Sequence, residues 1–408
     1  VRRSDIVVIG GGSAGIAVAA SIKARNGNAQ ITLIDPAHEH FYQPGWTMVG
    51  GGIFDKDVTR RPMASVIPDG VDWLQTAVTA FDPDNNCVQL ADDSHLEYGQ
   101  LIVAPGLKID WDAIPGLSEA LGRNGVTSNY RFDLAPYTWE LAQKTQNGRA
   151  LFTQPPMPIK CAGAPQKAMY LTCSEMEKRG SLAGNQVAFH NAGPALFGVA
   201  AYVPALMTYI ERYGIDLNFS SRLSRVRGDE QIAEFTQTDG DGNQTVVEEA
   251  FDMLHVCPPQ CPPDFIQQSP LANDAGWVEV DPETLRHARY DNIHGLGDVI
   301  SAPNAKTAAA ARMQAPVVAH NVLAAMGHAQ GTAVYNGYGS CPLTVERGKI
   351  VLAEFGYGGT LLPSFPAWLI DGTQPSRLAW FLKERLLPPV YWHLMLKGRE
   401  WLTKPTLR

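Results

Sequence analysis

The stretch IVVIGGGSAG (6–15) decides the fold. Four β-branched residues, Ile6, Val7, Val8 and Ile9, predict a buried parallel strand. Three glycines follow, and 14–23 predicts a helix. Gly10, Gly12 and Gly15 have the spacing G-x-G-x-x-G. Gly10 permits the tight turn, Gly12 lets a pyrophosphate approach the backbone, and Gly15 lets helix and strand pack closely. Ser13 and Ala14 open the helix, where free N–H groups and the helix dipole favour an anion. A second strand is expected at 31–34, ending in Asp35, twenty residues past Gly15. A carboxylate there would bind a ribose hydroxyl. A glycine triplet alone is a common turn. Strand, loop, helix, strand and acid together predict a dinucleotide site in an α/β domain.

The 408 residues suffice for two or three domains. With 45% hydrophobic and 18% charged residues, the chain is not a disordered one. A net charge of −8 argues against nucleic acid as a partner. The cysteines Cys87, Cys161, Cys173, Cys257, Cys261 and Cys341 are too sparse for a disulfide scaffold. No apolar run reaches the ~18 residues needed to span a bilayer. Arg2 and Arg3 before an apolar stretch imitate a secretory signal, but the glycine triplet inside it reads better as a nucleotide loop.

Beyond Asp35, 36–75 reads as loop-rich, with glycines and aromatics in HFYQPGW (40–46) and GWTMVGGG (45–52). Strands are expected at 71–78, 87–90 and 98–104. The last ends in Ala104-Pro105-Gly106, and ligands of open α/β sheets bind at such carboxyl ends. From about Trp111 the pattern restarts. Strands are expected at 150–153, 186–190 and 217–219, helices at 164–179 and 200–212, and a polar meander at 221–250. The glycine loop of this second unit, NAGPALFG (191–198), keeps Gly193 and Gly198 without the three-glycine spacing, so a nicotinamide site is not expected there. The segment 253–265 crosses back to the first unit. IHGLGDV (293–299) then predicts a strand and a Gly297-Asp298 turn, followed by an Ala-rich helix at 306–326. A fingerprint at the start, an Ala-Pro-Gly strand end and a late Gly-Asp turn favour FAD over NAD. The late Asp would bind the ribityl chain, and the helix after it would stabilise negative charge on a reduced ring.

The segment 361–408 changes character. It holds Trp368, Trp380, Trp392 and Trp401, and seven Lys/Arg against three Asp/Glu, a net +4 on a remainder of −12. Leu378, Phe381, Leu382 and Leu386 fall on one face of a helix. Tyr391, Leu394, Met395 and Leu402 do so on a second. Amphipathic, Trp-bearing and basic, this tail predicts an interfacial membrane anchor.

The stretches HFYQP (40–44), ASVIP (64–68), IKCAGAPQK (159–167), DAGWVEVD (274–281), AKTAAAA (305–311), YGSCPL (338–343), LAEF (352–355) and YWHLMLKG (391–398) run in order through the chain. In them the chain resembles the sulfide:quinone oxidoreductases, particularly the mitochondrial-type (type II) branch. The resemblance implies two Rossmann-like, glutathione-reductase-like domains and a C-terminal amphipathic helical membrane-binding segment. The expected division is an FAD-binding domain of 1–112 and 266–335, a second domain of 113–265, and a redox and membrane segment of 336–408. It implies a redox pair, Cys161 and Cys341. Sulfide would attack their disulfide, or a sulfur-bridged form of it. Cys341 would take the sulfur as a persulfide, and Cys161 would pass electrons to flavin C4a. FAD contacts are expected at Gly10, Gly12, Ser13, Ala14, Gly15, Asp35, Pro44, Val78, Ala104, Gly106, Gly297, Asp298, Lys306 and Thr307. Quinone contacts are expected at Phe355 and Tyr391. The expected partners are sulfide, a membrane quinone, a lipid surface, a small sulfur acceptor and, in a homo-oligomer, a second copy of the chain, and the expected location is a bacterial inner membrane.

The residues bear on the cysteine pair separately. Cys161 follows Lys160 and precedes a helix, both of which lower a thiol pKa. Cys341 lies in what reads as a flexible, accessible loop. Either cysteine alone would read as a small buried hydrophobe. Cys87 and Cys173 read as structural. Cys257 and Cys261 lack the second Cys or His pair of a zinc site, so no metal is expected. The absence of a cysteine in 105–160 predicts non-covalent FAD. An NADH:quinone oxidoreductase of similar fold and a sulfur-binding or redox-sensing membrane flavoprotein without turnover remain alternatives.

Overall fold

The computed structural model describes residues 2–408. The β-branched run lies in the strand Arg2–Ile9, at the middle of a seven-stranded sheet. Ile6, Val7 and Val8 have no exposed surface, which is why the run needs no polar alternation. The strand pairs in parallel with Ile31–Ile34 on one side and His95–Val103 on the other. Val71–Leu74 extends the sheet beyond Ile31–Ile34. His95–Val103 divides its pairing. Its first half joins an antiparallel meander with Cys87–Leu90 and Val78–Asp82, and its last residues pair in parallel with Ile293–Gly295. The expected strand 71–78 is thus two strands, Val71–Leu74 and Val78–Asp82. Between Ile34 and Val71, the loop-rich region carries a short helix, Trp46–Gly50, and a two-stranded ribbon of Glu39–Phe41 with Arg60–Pro62.

A second, five-stranded parallel sheet has the order Val126–Thr127, Met253–His255, Arg149–Gln154, Gln186–Asn191, Asp216–Asn218. Val126–Thr127 and the helix Ala135–Lys144 had no counterpart in the sequence reading. Met253–His255 lies inside this sheet, so the crossing back begins only after it. There Gln260–Cys261 pairs with Lys108–Ile109. The meander is a three-stranded antiparallel sheet of Ser221–Arg227, Ile232–Thr238 and Gln244–Ala250.

Two late elements complete the site. Gly339–Glu346 and Lys349–Phe355 form an antiparallel hairpin carrying Cys341, which is a buried strand residue, not a loop residue. The tail helix runs through Arg377–Phe381, a π turn at Leu382–Leu386, and Leu387–His393. Its two expected apolar faces meet different surroundings. Leu378, Phe381 and Leu386 are exposed, whereas Tyr391, Trp392, Met395 and Leu396 are buried in the core of the first sheet. Leu402 lies beyond the helix and is exposed. Arg25 forms an ion pair with Glu400, and Ser21 donates to the same carboxylate at 2.5 Å, clamping the tail to the first helix, Ser13–Arg25. Among the described residues no helix is long and apolar enough to cross a membrane.

Candidate active site

The dinucleotide loop has the geometry its glycines predict. A Cβ on Gly10 would lie 2.3 Å from the Ala104 carbonyl oxygen, and one on Gly15 would lie 1.8 Å from that of Gly10. Nothing lies within 4 Å of the corresponding position on Gly12, so the loop is open where a pyrophosphate would approach. The helix N-terminus has no side-chain cap, which leaves its N–H groups for an anion. Asp35 Oδ2 accepts from the Gly11 N–H at 2.5 Å. A Cβ on Gly297 would lie 2.9 Å from the Ala14 methyl, so the Gly297-Asp298 turn packs on the same helix. Loop, Ala104 turn and Asp298 turn therefore converge, and the residues fit a dinucleotide. Pro44 sits in a single turn, Gln43–Gly45. Val78 opens an outer strand and pairs with Leu90.

Thr307 caps the helix Ala308–Ala325, accepting from the Ala310 N–H. Just before it, the Lys306 carbonyl accepts from the Cys161 N–H at 2.8 Å. That bond ties the cysteine segment to the end of the first sheet's ligand face. Lys306 Nζ lies 4.1 Å over the Trp277 ring and donates to the Ile300 carbonyl. Burial lowers its pKa to about 8, and burial raises that of Asp298 against the pull of Lys306 and Lys160.

Cys161 and Cys341, 180 positions apart, bring their sulfurs to 3.4 Å in the thiol form. Gly163 makes this possible. A Cβ there would lie 2.3 Å from a Leu343 methyl and 2.5 Å from the Cys341 sulfur. Lys167, on the first turn of the helix Ala164–Lys178, places Nζ 3.0 Å from Cys161 Sγ. The expected neighbour, Lys160, points elsewhere: its Nζ donates to Gln43 Oε1 at 2.5 Å. Because helical side chains at that spacing face back over the preceding turn, Lys167 reaches the cysteine and the adjacent Lys160 does not. A fourth member comes from the tail. Lys383, in the π turn, is buried and donates to the Pro342 carbonyl at 3.3 Å, beside both cysteines.

The charges sort the two sulfurs. The hydrogen bond from Cys341 and the Lys167 ammonium hold Cys161 well below the usual thiol range, and the same bond and burial push Cys341 well above it. Lys167 is held charged by the two cysteines despite its burial. Burial and the Lys167 charge lower Lys383 to about 7. The site thus favours the thiolate at Cys161 over one at Cys341, and sets beside the pair an amine whose pKa lies near neutrality. Lys167 was visible in the CAGAPQK stretch, while Lys383 gave no signal among the other basic residues of an amphipathic tail.

Phe355 ends the hairpin opposite Gly339 and packs edge-on to Phe197. Tyr391 lies apart from it, under the dinucleotide loop, with its hydroxyl 2.7 Å from Ser13 Oγ and 2.6 Å from His40 Nε2. Cys87, Cys173 and Cys257 are buried thiols with raised pKa. Among the described residues no group of three or more His, Cys, Asp or Glu could hold a metal.

Residues 4–138 match the family model described as pyridine nucleotide-disulphide oxidoreductase. The chain is 40% identical to the mitochondrial sulfide:quinone oxidoreductase of Dictyostelium discoideum, over 99% of this chain and 88% of that protein. It is 38% identical to the mouse mitochondrial protein of the same name, over 97% of this chain and 86% of that one. In structure it is similar to the sulfide:quinone oxidoreductase of Aquifex aeolicus, with a TM-score of 0.77 at 19% identity, covering 98% of this chain and 92% of the other.

Proposed function

This chain belongs to the sulfide:quinone oxidoreductase family, of the mitochondrial type, and from that premise we infer that it oxidises sulfide through Cys161 and Cys341 and delivers two electrons by way of FAD to a quinone. The observation that carries the residue assignment is the cysteine pair at 3.4 Å with Lys167 against one sulfur.

FAD, when bound, supplies a two-electron acceptor that hands its electrons on to quinone. Gly10, Gly12, Ser13, Ala14, Gly15 and Asp35 would hold its dinucleotide. Pro44, Val78, Ala104, Gly106, Gly297, Asp298, Lys306 and Thr307 would supply the remaining contacts. With no cysteine in 105–160, no thiol of that segment links to it, and acid precipitation should release the flavin. The proposed division is an FAD-binding domain of 1–112 with 266–335, a second domain of 113–265 and a segment of 336–408.

In the disulfide form of the pair, HS⁻ attacks Cys341 Sγ and the S–S bond breaks. Cys341 becomes a persulfide, and Cys161 leaves as a thiolate. The direction follows from the charges, because the sulfur of lower pKa is the better leaving group and Lys167 stabilises Cys161. Lys383 Nζ is placed to take the proton of an incoming H₂S. A small nucleophile then removes the sulfane sulfur from Cys341 and leaves its thiolate; where the sulfur stays, it bridges the two cysteines as two electrons pass on toward quinone, and a second sulfide that attacks this bridge lengthens the chain by one sulfur. Re-forming the bond between the two sulfurs releases two electrons through Cys161. Phe355, the last residue of the cysteine hairpin, and Tyr391, under the dinucleotide loop, are the proposed quinone contacts.

A membrane surface is the natural place to meet a quinone. The exposed Leu378, Phe381, Leu386 and Trp368, with Arg377 and Arg385 beside them, support peripheral docking. The relatives' names place those proteins in mitochondria, which does not favour the bacterial inner membrane expected from the sequence. A homo-oligomer stays a proposal on the sequence reading alone.

Anaerobic titration with sulfide should bleach the flavin, and added quinone should restore it. Cys161→Ser and Cys341→Ser should bind FAD and fail to bleach. Bleaching by NADH and not by sulfide would overturn the assignment.

A further inference from the structure

His40, Tyr391 and Ser13 form a buried chain beneath the dinucleotide loop. His40 Nδ1 lies 2.9 Å from the Gly11 carbonyl oxygen, and His40 Nε2 lies 2.6 Å from the Tyr391 hydroxyl. That hydroxyl lies 2.7 Å from Ser13 Oγ. His40 and Tyr391 are almost without exposed surface. Three residues distant in sequence thus meet on the loop that the proposed function gives to FAD, and the inference rests on that reading.

Donor and acceptor chemistry fixes the direction of the chain. A carbonyl only accepts, so His40 Nδ1 carries a hydrogen. In a neutral imidazole Nε2 is then an acceptor, and the Tyr391 hydroxyl must donate to it. Tyr391 can then only accept from Ser13, whose hydrogen is spent. Ser13 Oγ is left with lone pairs, which repel a phosphate oxygen. If His40 takes a proton from solvent, Nδ1–H still donates to the Gly11 carbonyl and the other two bonds reverse. Nε2–H donates to Tyr391, Tyr391 donates to Ser13, and the Ser13 hydrogen is free to donate outward.

We propose that FAD binding reverses this relay and draws one proton onto His40, so that His40 and Tyr391 are positioning residues for the cofactor diphosphate. The charged groups facing His40 are Asp35, which favours the proton, and Arg61, which opposes it; the Glu39–Arg60 pair lies on the same ribbon. Tyr391 and Trp392 pack against the ring with neutral groups, and Tyr42 packs on Tyr391. Burial lowers the His40 pKa in the protein without ligand, so the imidazole starts neutral at neutral pH. A diphosphate held through Ser13 favours the charged form.

The test is flavin release from diluted holoprotein, followed by FAD fluorescence between about pH 5 and about 8, where histidine titrates. Uptake of one proton predicts that the Kd rises as pH rises, approaching ~10-fold per pH unit within the window. Tyr391→Phe and Ser13→Ala should still bind FAD, with a Kd nearly independent of pH. A flat wild-type profile overturns the relay, and so does an equal slope in both variants. If Tyr391→Phe fails to fold, Ser13→Ala decides, because it leaves the core intact. A purified wild-type protein that holds no FAD at any pH refutes the cofactor reading itself, which is a different outcome from a flat profile.

Discussion

Lys167 and Gly163 decide how Cys161 and Cys341 meet. Removing the ammonium with Lys167→Met takes away the charge that stabilises the thiolate. The Cys161 pKa should rise. A thiolate–flavin absorbance band present at neutral pH in the wild type should therefore vanish in the variant and return as pH is raised. Gly163→Ala should separate the sulfurs, since the added methyl has to displace Cys341 or Leu343. A misplacement of about 1 Å costs on the order of 10²-fold in rate, so sulfide-driven bleaching should slow by roughly that factor while FAD stays bound. Lys383→Met should remove an inflection near pH 7 from sulfide oxidation, because the lysine loses its proton as pH rises through that value. At this scale the motif stretches pointed to the two cysteines whose sulfurs the fold brings to 3.4 Å. The sequence reading misassigned the cation, because nearness in sequence is not nearness in space. Lys160 extends toward Gln43, while Lys167 folds back from the first turn of its helix.

The tail helix shows what periodicity reveals and what it leaves open. An apolar stripe states that a face is covered, not by what. Leu378, Phe381 and Leu386 have no protein against their outer sides, being 42%, 49% and 44% exposed. Tyr391, Met395 and Leu396 are covered by the first sheet's core. Phe381→Glu combined with Leu386→Glu should abolish cosedimentation with lipid vesicles and leave FAD bound. High salt should weaken wild-type binding only in part, because apolar burial is unscreened. Glu400→Ala should leave Arg25 and Ser21 without their partner. Losing hydrogen bonds to a charged group costs about 1.5–3 kcal/mol each, seen as a lower Tm with the vesicle interaction retained. The π turn, which no propensity signals, is the element that carries Lys383, inward-facing, beside the cysteines.

Across the whole molecule, the parallel sheets follow from apolar runs such as IVVI and LIVA, and these were legible. Val126–Thr127 and Met253–His255 were not read as sheet members, because two or three residues are too short for a period to show. The tail's place was also hidden, since it packs against the helix that opens the chain. Deletion from residue 364 onward should therefore strip Tyr391, Trp392 and Leu396 from the first core and yield protein that neither stays soluble nor keeps FAD. The surface variant Phe381→Glu with Leu386→Glu keeps both, so the two together separate docking from folding. The backbone bond from Cys161 to Lys306 lies where the segments following the two sheets touch. A rocking motion of one sheet against the other would pivot there. Cys161, the proposed electron-passing sulfur, then keeps a constant separation from the Thr307 helix while the outer parts of the cleft breathe. Solvent viscosity should accordingly slow the exchange of quinone for quinol and leave the sulfur-to-flavin electron step at its original rate.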